Sequence, residues 1–161
     1  MAIGTFSVGD TITAAWLNSV AGALNGRFLG TVNTNTSVTS TGTTEALFTA
    51  LALTVTGIDS TLNYFIEFGW KWVTSVAGDT AWGGIHASQS AITTASPVVA
   101  QVQKYVPLTA GNMDEHTYRV LWQPGANGSW NLQAGVKRAN GTGNSQITSG
   151  QQNAFLTIVQ A

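Results

Sequence analysis

Ionisable side chains that could act in catalysis or bind a metal are few in this chain and lie far apart. The two histidines, His86 and His116, lack the spacing of metal ligands, and Asp114–His116 is the densest ionisable cluster. Adjacent side chains on an extended backbone point to opposite sides, so three neighbours cannot all ligate one ion without a special turn. We expect this triplet to lie in a solvated connection and to bind no metal.

No catalytic motif accompanies these residues. No serine stands in a Gly-x-Ser-x-Gly turn, which would expose a nucleophile. Gly141–Gly143 lacks the lysine and the following helix of a phosphate-binding loop. A glycosidase would need two carboxylates that face each other across a cleft. Among the seven carboxylates, Glu67 is the one candidate for such a pair, because it lies on the strand face opposite a run of aromatic residues. The sequence therefore predicts a non-enzymatic protein without a cofactor.

Tryptophans are the other informative side chains, and five of the six lie between residues 70 and 130: Trp70, Trp72, Trp82, Trp122 and Trp130. Exposed indole rings can stack on sugars while Asn, Gln and Asp bind the hydroxyl groups, which would make a carbohydrate-binding surface. The alternative is that they fill a hydrophobic core. Trp70 and Trp72 alternate with the same phase as Ile66 and Phe68, which favours the core.

The composition is neutral and polar. Charged residues make up 8% of the 161 residues, against about 25% in an average soluble domain. A net charge of −1 with dispersed cations excludes a phosphate-binding surface for nucleic acid. Lys137–Arg138 is the one adjacent cationic pair, and we interpret it as a solvated strand end. Such a neutral surface suits a protein that packs against copies of itself or other subunits.

Three further features bound the class of protein. The chain has no cysteine, which excludes disulfides and thiolate metal sites. The first residues lack the basic and apolar regions of a secretory signal, and no apolar run is long enough to cross a bilayer. We therefore expect synthesis in a cytoplasm, no membrane partner, and release by assembly or lysis.

Alternating apolar and polar residues predict an all-β body over residues 28–161. Leu62–Val76 has the clearest alternation, and we expect it to form a hairpin with Thr80–Ser90. Thr117–Gln123 and Trp130–Arg138 should form a second hairpin. The resulting prediction is an antiparallel β-sandwich, jelly-roll-like, with about eight strands. A small closed barrel is the alternative.

Other segments of the body show a weaker alternation of apolar and polar residues. Ala46–Thr56 is nearly continuous in apolar residues, which predicts a strand buried on both faces. The polar run 33–44 should be a loop or an edge strand, and 140–150 a loop. Thr109–Glu115 should be a connection.

Residues 1–27 differ from the body and are predicted to form an arm with one short helix. Thr13 can cap the start of this helix and Gly26 can end it. Its apolar face, together with an aromatic residue of the arm, consists of Phe6, Trp16, Leu17, Val20 and Leu24. A helix of about 12 residues needs a surface on which to bury such a face. That surface is the chain's own β body, a neighbouring copy of the chain or a larger assembly.

The N-terminal segment also resembles a known group of proteins. An aromatic residue, then Val-Gly-Asp, then Thr-Ala-Ala-x-Leu-Asn is similar to the start of small structural proteins of tailed bacteriophages. These are head-decoration and minor tail proteins, particularly of phages that infect actinobacteria. The matching residues are Phe6, Gly9, Asp10, Thr13, Ala14, Ala15, Leu17 and Asn18. The resemblance covers about the first eighth of the chain.

This resemblance implies a structural protein of the virion, assembled in the host cytoplasm. The expected function is capsid decoration by a homotrimer attached to the major capsid protein through the arm. The alternative is a minor tail or receptor-binding protein, attached to tail proteins, whose β domain binds a host surface or a glycan. The resemblance brings no catalytic residues with it.

Overall fold

The computed structural model of the chain describes residues 28–107, 114–149 and 153–161. These residues form ten β-strands in two sheets, and every pairing is antiparallel. The strands are β1 (Phe28–Thr34), β2 (Ser37–Ser40), β3 (Ala46–Ile58), β4 (Tyr64–Thr74), β5 (Thr80–Ser88), β6 (Val98–Tyr105), β7 (Asp114–Trp122), β8 (Gly128–Asn140), β9 (Ser145–Thr148) and β10 (Ala154–Gln160). In this described part of the chain, no helix is long and apolar enough to cross a bilayer.

The strands pair in a nested order from the two ends of the body towards its middle. β1 pairs with β10, β2 with β9, β3 with β8, β4 with β7 and β5 with β6. This nesting is that of one long antiparallel hairpin rolled into two sheets, which is a jelly roll. The predicted jelly-roll-like antiparallel sandwich is therefore confirmed. The predicted arm and helix lie outside the described residues.

The two sheets share one hydrophobic core. The six-stranded sheet contains β1, β2, β4, β7, β9 and β10, and the four-stranded sheet has the order β3-β8-β5-β6. β4 is central in the larger sheet because it pairs with β7 along one edge and with β10 and β9 along the other. Ile66, Phe68 and Trp72 from β4 are fully buried, as are Leu132 and Ile158 from β8 and β10.

Two tryptophans of β4 pack against a glycine of β5 in the opposite sheet. A Cβ atom at Gly83 would lie 2.5 Å from Cη2 of Trp72 and 2.8 Å from Cζ2 of Trp70. The two indole rings meet edge to face, with centroids 5.5 Å apart. Glycine at this position therefore leaves the space that the two rings fill between the sheets.

The structure has two strands more than the predicted eight. β2 and β9 lie within the polar runs 33–44 and 140–150, and they pair with each other. In this pair Val38 lies opposite Ile147, and the neighbouring positions are Ser, Thr or Gln. β2 ends its sheet, as the edge-strand alternative for 33–44 expected. The loop prediction for 140–150 is wrong, because one apolar residue in a four-residue strand gives too little alternation to detect.

Both predicted hairpins are wrong, because each connection crosses from one sheet to the other. β4 belongs to the six-stranded sheet and β5 to the four-stranded sheet, and the same holds for β7 and β8. The turn residues at 77–79 and 124–128 do reverse the chain. However, Gly, Pro and Asn favour a reversal without specifying the strand on which the chain returns.

Three finer predictions also need correction. β3 is buried on one face, at residues such as Phe48 and Val55, while Ala52 and Thr54 are exposed on the other. Leu62, the first residue of the predicted strand Leu62–Val76, lies outside β4 and is 37% exposed. The predicted connection Thr109–Glu115 overlaps the start of β7 at Asp114.

A buried carboxylate holds the crossover between β4 and β5. Asp79 is 3% exposed, and its carboxylate accepts the backbone N–H groups of Thr142 and Gly143, the latter at 2.6 Å. Its backbone carbonyl accepts the N–H of Val106 at 2.9 Å. This one residue therefore joins the crossover, the β8–β9 turn and the end of β6.

The contact at Gly83 gives a first prediction. Gly83→Ala should lower the free energy of unfolding by about 1–3 kcal/mol, since the added methyl group forces two packed indole rings to move. Gly125→Ala is the matched control, because a Cβ there meets no atom within 4 Å. Urea unfolding of both variants measures the difference. Equal stability of the two would show that the sheets do not approach as closely as described.

Candidate functional site

The outer face of the four-stranded sheet carries a cluster of polar side chains, most of them buried. Trp82 and His86 alternate with the inward-facing Gly83, so their side chains project outward. The Trp82 ring lies over Gly84, where a Cβ would be 2.6 Å from its Cη2 atom. Gly84 pairs with Gly135 on β8, and this pair of glycines makes room on the sheet for large side chains.

His86 and Glu45 form the centre of this cluster. Nε2 of His86 lies 2.5 Å from Oε1 of Glu45, and Nδ1 lies 2.8 Å from the carbonyl oxygen of Ser96. His86 is fully buried, and the Glu45 side chain is 8% exposed. Nζ of Lys137 lies 3.7 Å from Oε2 of Glu45 and 4.4 Å from the centroid of the Trp82 ring.

Hydrogen-bond chemistry fixes part of the protonation state. A carbonyl oxygen only accepts, so Nδ1 of His86 must carry a proton and donate to Ser96. A second proton is then required between Nε2 and Oε1, where it makes either an imidazolium–carboxylate pair or a neutral imidazole facing a protonated Glu45. Both ring nitrogens are thus engaged, and the ring is enclosed.

The contacts of His86 and Glu45 therefore serve to hold parts of the fold together. They link the turn before β3, the centre of β5 and the connection between β5 and β6 through side chains that each have a partner. A catalytic histidine needs a substrate within hydrogen-bond reach, and a fully buried ring offers none. Trp82 completes the cluster, its Nε1 donating to Oε1 of Gln101 at 3.1 Å.

The outer face of the six-stranded sheet is different, because an apolar row crosses it. Phe28 pairs with Val159, Val159 with Phe65, and Phe65 with Leu121. Residues directly opposite in antiparallel strands share a face, so these four side chains lie side by side across β1, β10, β4 and β7. We call them the apolar row. Its two ends, Phe28 and Leu121, are 53% and 57% exposed.

A bulge in β1 creates one end of this row. The register between β1 and β10 shifts between Phe28 and Gly30. Without this extra residue, strand alternation would place Leu29 outward and Phe28 inward. With it, Phe28 projects to solvent and Leu29 packs against the core. Bulges commonly redirect side chains in this way.

The neighbouring row on this face is polar but paired. Nε of Arg119 lies 3.0 Å from Oε1 of Glu67, and Thr31 and Thr157 share a hydroxyl hydrogen bond of 2.7 Å. The guanidinium of Arg119 also lies 3.8 Å from the centroid of the Phe65 ring. The row next to the apolar one is therefore neutral overall.

The structure places the predicted site residues as follows. The attachment residues Phe6, Trp16, Leu17, Val20 and Leu24 lie outside the described residues. Core positions are confirmed for Trp70 and Trp72, which are 3% and 0% exposed. Among the tryptophans of the described segments, Trp82 and Trp122 are also buried and Trp130 is half-buried. None of these rings is exposed as a platform for a sugar.

The other singled-out residues are also engaged. Nζ of Lys104 lies 2.7 Å from Nε2 of His116, and the cluster 114–116 belongs to β7, not to a connection. Glu67 pairs with Arg119, not with a second carboxylate. Lys137 and Arg138 are half-buried. Lys137 contacts Glu45 and the Trp82 ring, and Arg138 donates to the carbonyl of Gly143. The prediction that this pair is a solvated strand end is therefore wrong. Within the described ranges, no three His, Asp or Glu side chains are grouped to hold a metal ion.

Sequence reasoning missed both outer faces. The Glu45–His86 contact joins residues 41 positions apart in sequence, and no local spacing indicates it. The apolar row depends on the registers of three strand pairs. Its one local signal is Phe65, an aromatic residue out of phase with the buried aromatic residues of β4.

Comparison with known proteins gives distant similarities in fold. No family model and no curated protein matches the chain. VP2 of infectious bursal disease virus, in its subviral particle, is 13% identical with a TM-score of 0.48 over 81% of this chain and 32% of VP2. Eiger TNF from S. frugiperda is 12% identical with a TM-score of 0.49 over 84% of this chain and 93% of that one. The delta-endotoxin Cry8Ea1 from Bacillus thuringiensis is 10% identical with a TM-score of 0.38.

These structures differ widely in kind. The chain spans about a third of the VP2 chain and about a fifth of the endotoxin. Similarities at these identities and TM-scores do not assign a function to this protein.

The buried polar cluster gives a second prediction. His86→Ala should lower the free energy of unfolding by about 2–4 kcal/mol, because it leaves a cavity and removes the hydrogen-bond partner of Oε1 of the buried Glu45, whose Oε2 keeps only the longer contact to Lys137. Glu45→Gln should cost about 1–2 kcal/mol, since the amide can still bond to Nε2. Urea unfolding followed by tryptophan fluorescence measures both. A loss below about 1 kcal/mol for His86→Ala would contradict the structural interpretation.

Proposed function

We propose that this protein is a non-enzymatic structural protein of a tailed-phage virion. The more specific proposal is a capsid-decoration protein that attaches through its N-terminal arm to the major capsid protein. The observation that supports this proposal is the sequence of residues 6–18, which resembles the start of small phage structural proteins. This segment ends shortly before β1, the first strand of the β body. Under this proposal, the arm attaches and the jelly roll is displayed.

The structure of the body supports this division. The buried core extends from Phe48 to Ile158 and comes from both sheets. β1 begins at Phe28 and pairs with β10, so the strand that follows the arm is held by the last strand. The described strands therefore supply a core of their own, which supports assigning attachment to a separate N-terminal segment.

The chemistry of the body supports a non-enzymatic role. The buried His86 is bonded through both ring nitrogens, and the buried carboxylate of Asp79 is bonded to backbone amides. Groups with these partners stabilise a fold. Few surface charges and a net charge of −1 suit a subunit that packs among other subunits.

A second candidate is a minor tail protein that binds a host surface or glycan. The observation that favours it is a shallow depression of about 450 Å³ on the four-stranded sheet. Thr43, Gln103, Lys137 and Arg138 line it beside Trp82. These side chains can bond to hydroxyl groups, and Gln103→Ala would weaken glycan binding if this candidate is correct.

Attachment through the arm gives the third prediction. The purified protein should co-sediment with phage heads that lack it, at a fixed ratio per capsomer, and not with tails. Trp16→Ala should weaken this binding at least tenfold, because it removes the largest apolar side chain of the predicted helix. Tyr105→Ala is the control, since Tyr105 is 58% exposed on the body.

Three outcomes decide between the alternatives. Equal binding of Trp16→Ala and the wild type would contradict attachment through the arm. Binding to tails alone would establish the second candidate. Binding to neither particle would contradict a virion role and direct attention to a glycan screen.

A further inference from the structure

We propose that Asn140 is a site of spontaneous deamidation, and that the isoaspartate formed there releases the buried carboxylate of Asp79 from the turn that binds it. Water is the one co-reactant that this modification needs. The chemistry belongs to a single turn of the β body and does not depend on the proposed virion function.

The reaction uses the backbone nitrogen of the glycine that follows Asn140. Glycine has no side chain to shield this nitrogen, which makes Asn–Gly the dipeptide most prone to deamidation. The nitrogen of Gly141 attacks Cγ of Asn140, so that an N–Cγ bond forms and the Cγ–Nδ2 bond breaks. Ammonia leaves with the proton of the Gly141 N–H, and a five-membered succinimide ring remains. Water then opens the ring at either carbonyl, which gives aspartate or isoaspartate.

The side chain of Asn140 already lies against this nitrogen. The N–H of Gly141 donates to Oδ1 of Asn140 at 2.9 Å. Because Oδ1 and Cγ are joined by one C=O bond of about 1.2 Å, the attacking nitrogen and the carbon that it attacks are near neighbours. Holding two reacting groups together lowers the barrier between them. Both residues are exposed, so water and hydroxide reach the pair.

Asn127–Gly128 is the same dipeptide in a different arrangement. Oδ1 of Asn127 accepts the backbone N–H of Ser60 at 2.6 Å, and the carbonyl oxygen of Asn127 accepts Nε2 of Gln89 at 2.8 Å. The side chain of Asn127 must leave Ser60 before it can react. We therefore expect it to react about fivefold more slowly than Asn140, the factor that corresponds to one lost hydrogen bond of about 1 kcal/mol.

The turn that follows Asn140 is also the binding site of the Asp79 carboxylate. This carboxylate accepts the N–H of Thr142 at 3.1 Å and that of Gly143 at 2.6 Å. It lies so close to Gly141 that a Cβ atom added there would overlap it. Isoaspartate inserts one methylene carbon into the backbone ahead of these N–H groups, which displaces them. It also adds a negative charge beside a carboxylate that is 3% exposed, and like charges repel.

The fourth prediction follows the reaction at both sites in the full chain. The protein is incubated in mildly alkaline buffer, and peptide mapping by mass spectrometry measures the conversion of Asn140 and of Asn127 over time. Asn140 should convert about fivefold faster. An isoaspartate-specific methyltransferase should label the product at residue 140.

Asn140→Gln is the matched variant for the effect on Asp79. Glutamine is one methylene longer and would have to close a less favourable six-membered ring, so the variant should not convert at this position. Each protein is compared with its own fresh sample by urea unfolding. Incubation should raise the equilibrium constant for unfolding of the wild type at least about tenfold, the effect of losing one hydrogen bond to a charged group. The variant should stay unchanged, and Asn25–Gly26 is present in both proteins, so a reaction there affects both equally.

Two results would overturn the proposal. One is conversion at Asn140 that is no faster than at Asn127, which would show that the turn keeps the Gly141 nitrogen out of reach. This comparison needs the wild type alone, so it stands even if the variant does not fold. The other is full conversion at Asn140 without loss of stability, which would show that Asp79 keeps its partners. Neither result involves a phage particle, so both are separate from the co-sedimentation experiment.

Discussion

The close contact between β4 and β5 is the constraint on which the rest of the structure depends. Trp70 and Trp72 fill the space between the sheets, and they do so because Gly83 has no side chain. β4 also pairs with strands along both of its edges, so the position of these rings fixes the centre of the larger sheet. The two sheets can then close around a single core, and the outward faces are left to carry interactions.

Two buried carboxylates of the body lie at connections between the sheets. Asp79 holds a crossover to the β8–β9 turn. Glu45 and His86 hold the turn before β3 to the centre of the smaller sheet. Because buried charges are costly unless paired, their placement at these points is consistent with a role in fixing a topology whose strand partners are distant in sequence. The surface that remains carries few charges.

The sequence allowed prediction of what depends on local alternation. The buried phase of β4 at Trp70 and Trp72 and the all-β class both follow from a period of two. What depends on the choice of partner could not be predicted. Turns at 77–79 and 124–128 resemble hairpin turns, yet they connect opposite sheets. The apolar row required three registers and the bulge beside Phe28, none of which has a local signal strong enough to read.

The central claim is that Trp70 and Trp72 are enclosed between the two sheets against Gly83, and hydroxyl-radical footprinting tests it most directly. The oxidation rate of each residue in the native protein is divided by its rate in the unfolded chain. Trp70 and Trp72 are 3% and 0% exposed, whereas Tyr105 is 58% exposed. We predict that Tyr105 is oxidised readily in the native protein, while Trp70 and Trp72 are protected. Equal oxidation of all three residues would contradict the account.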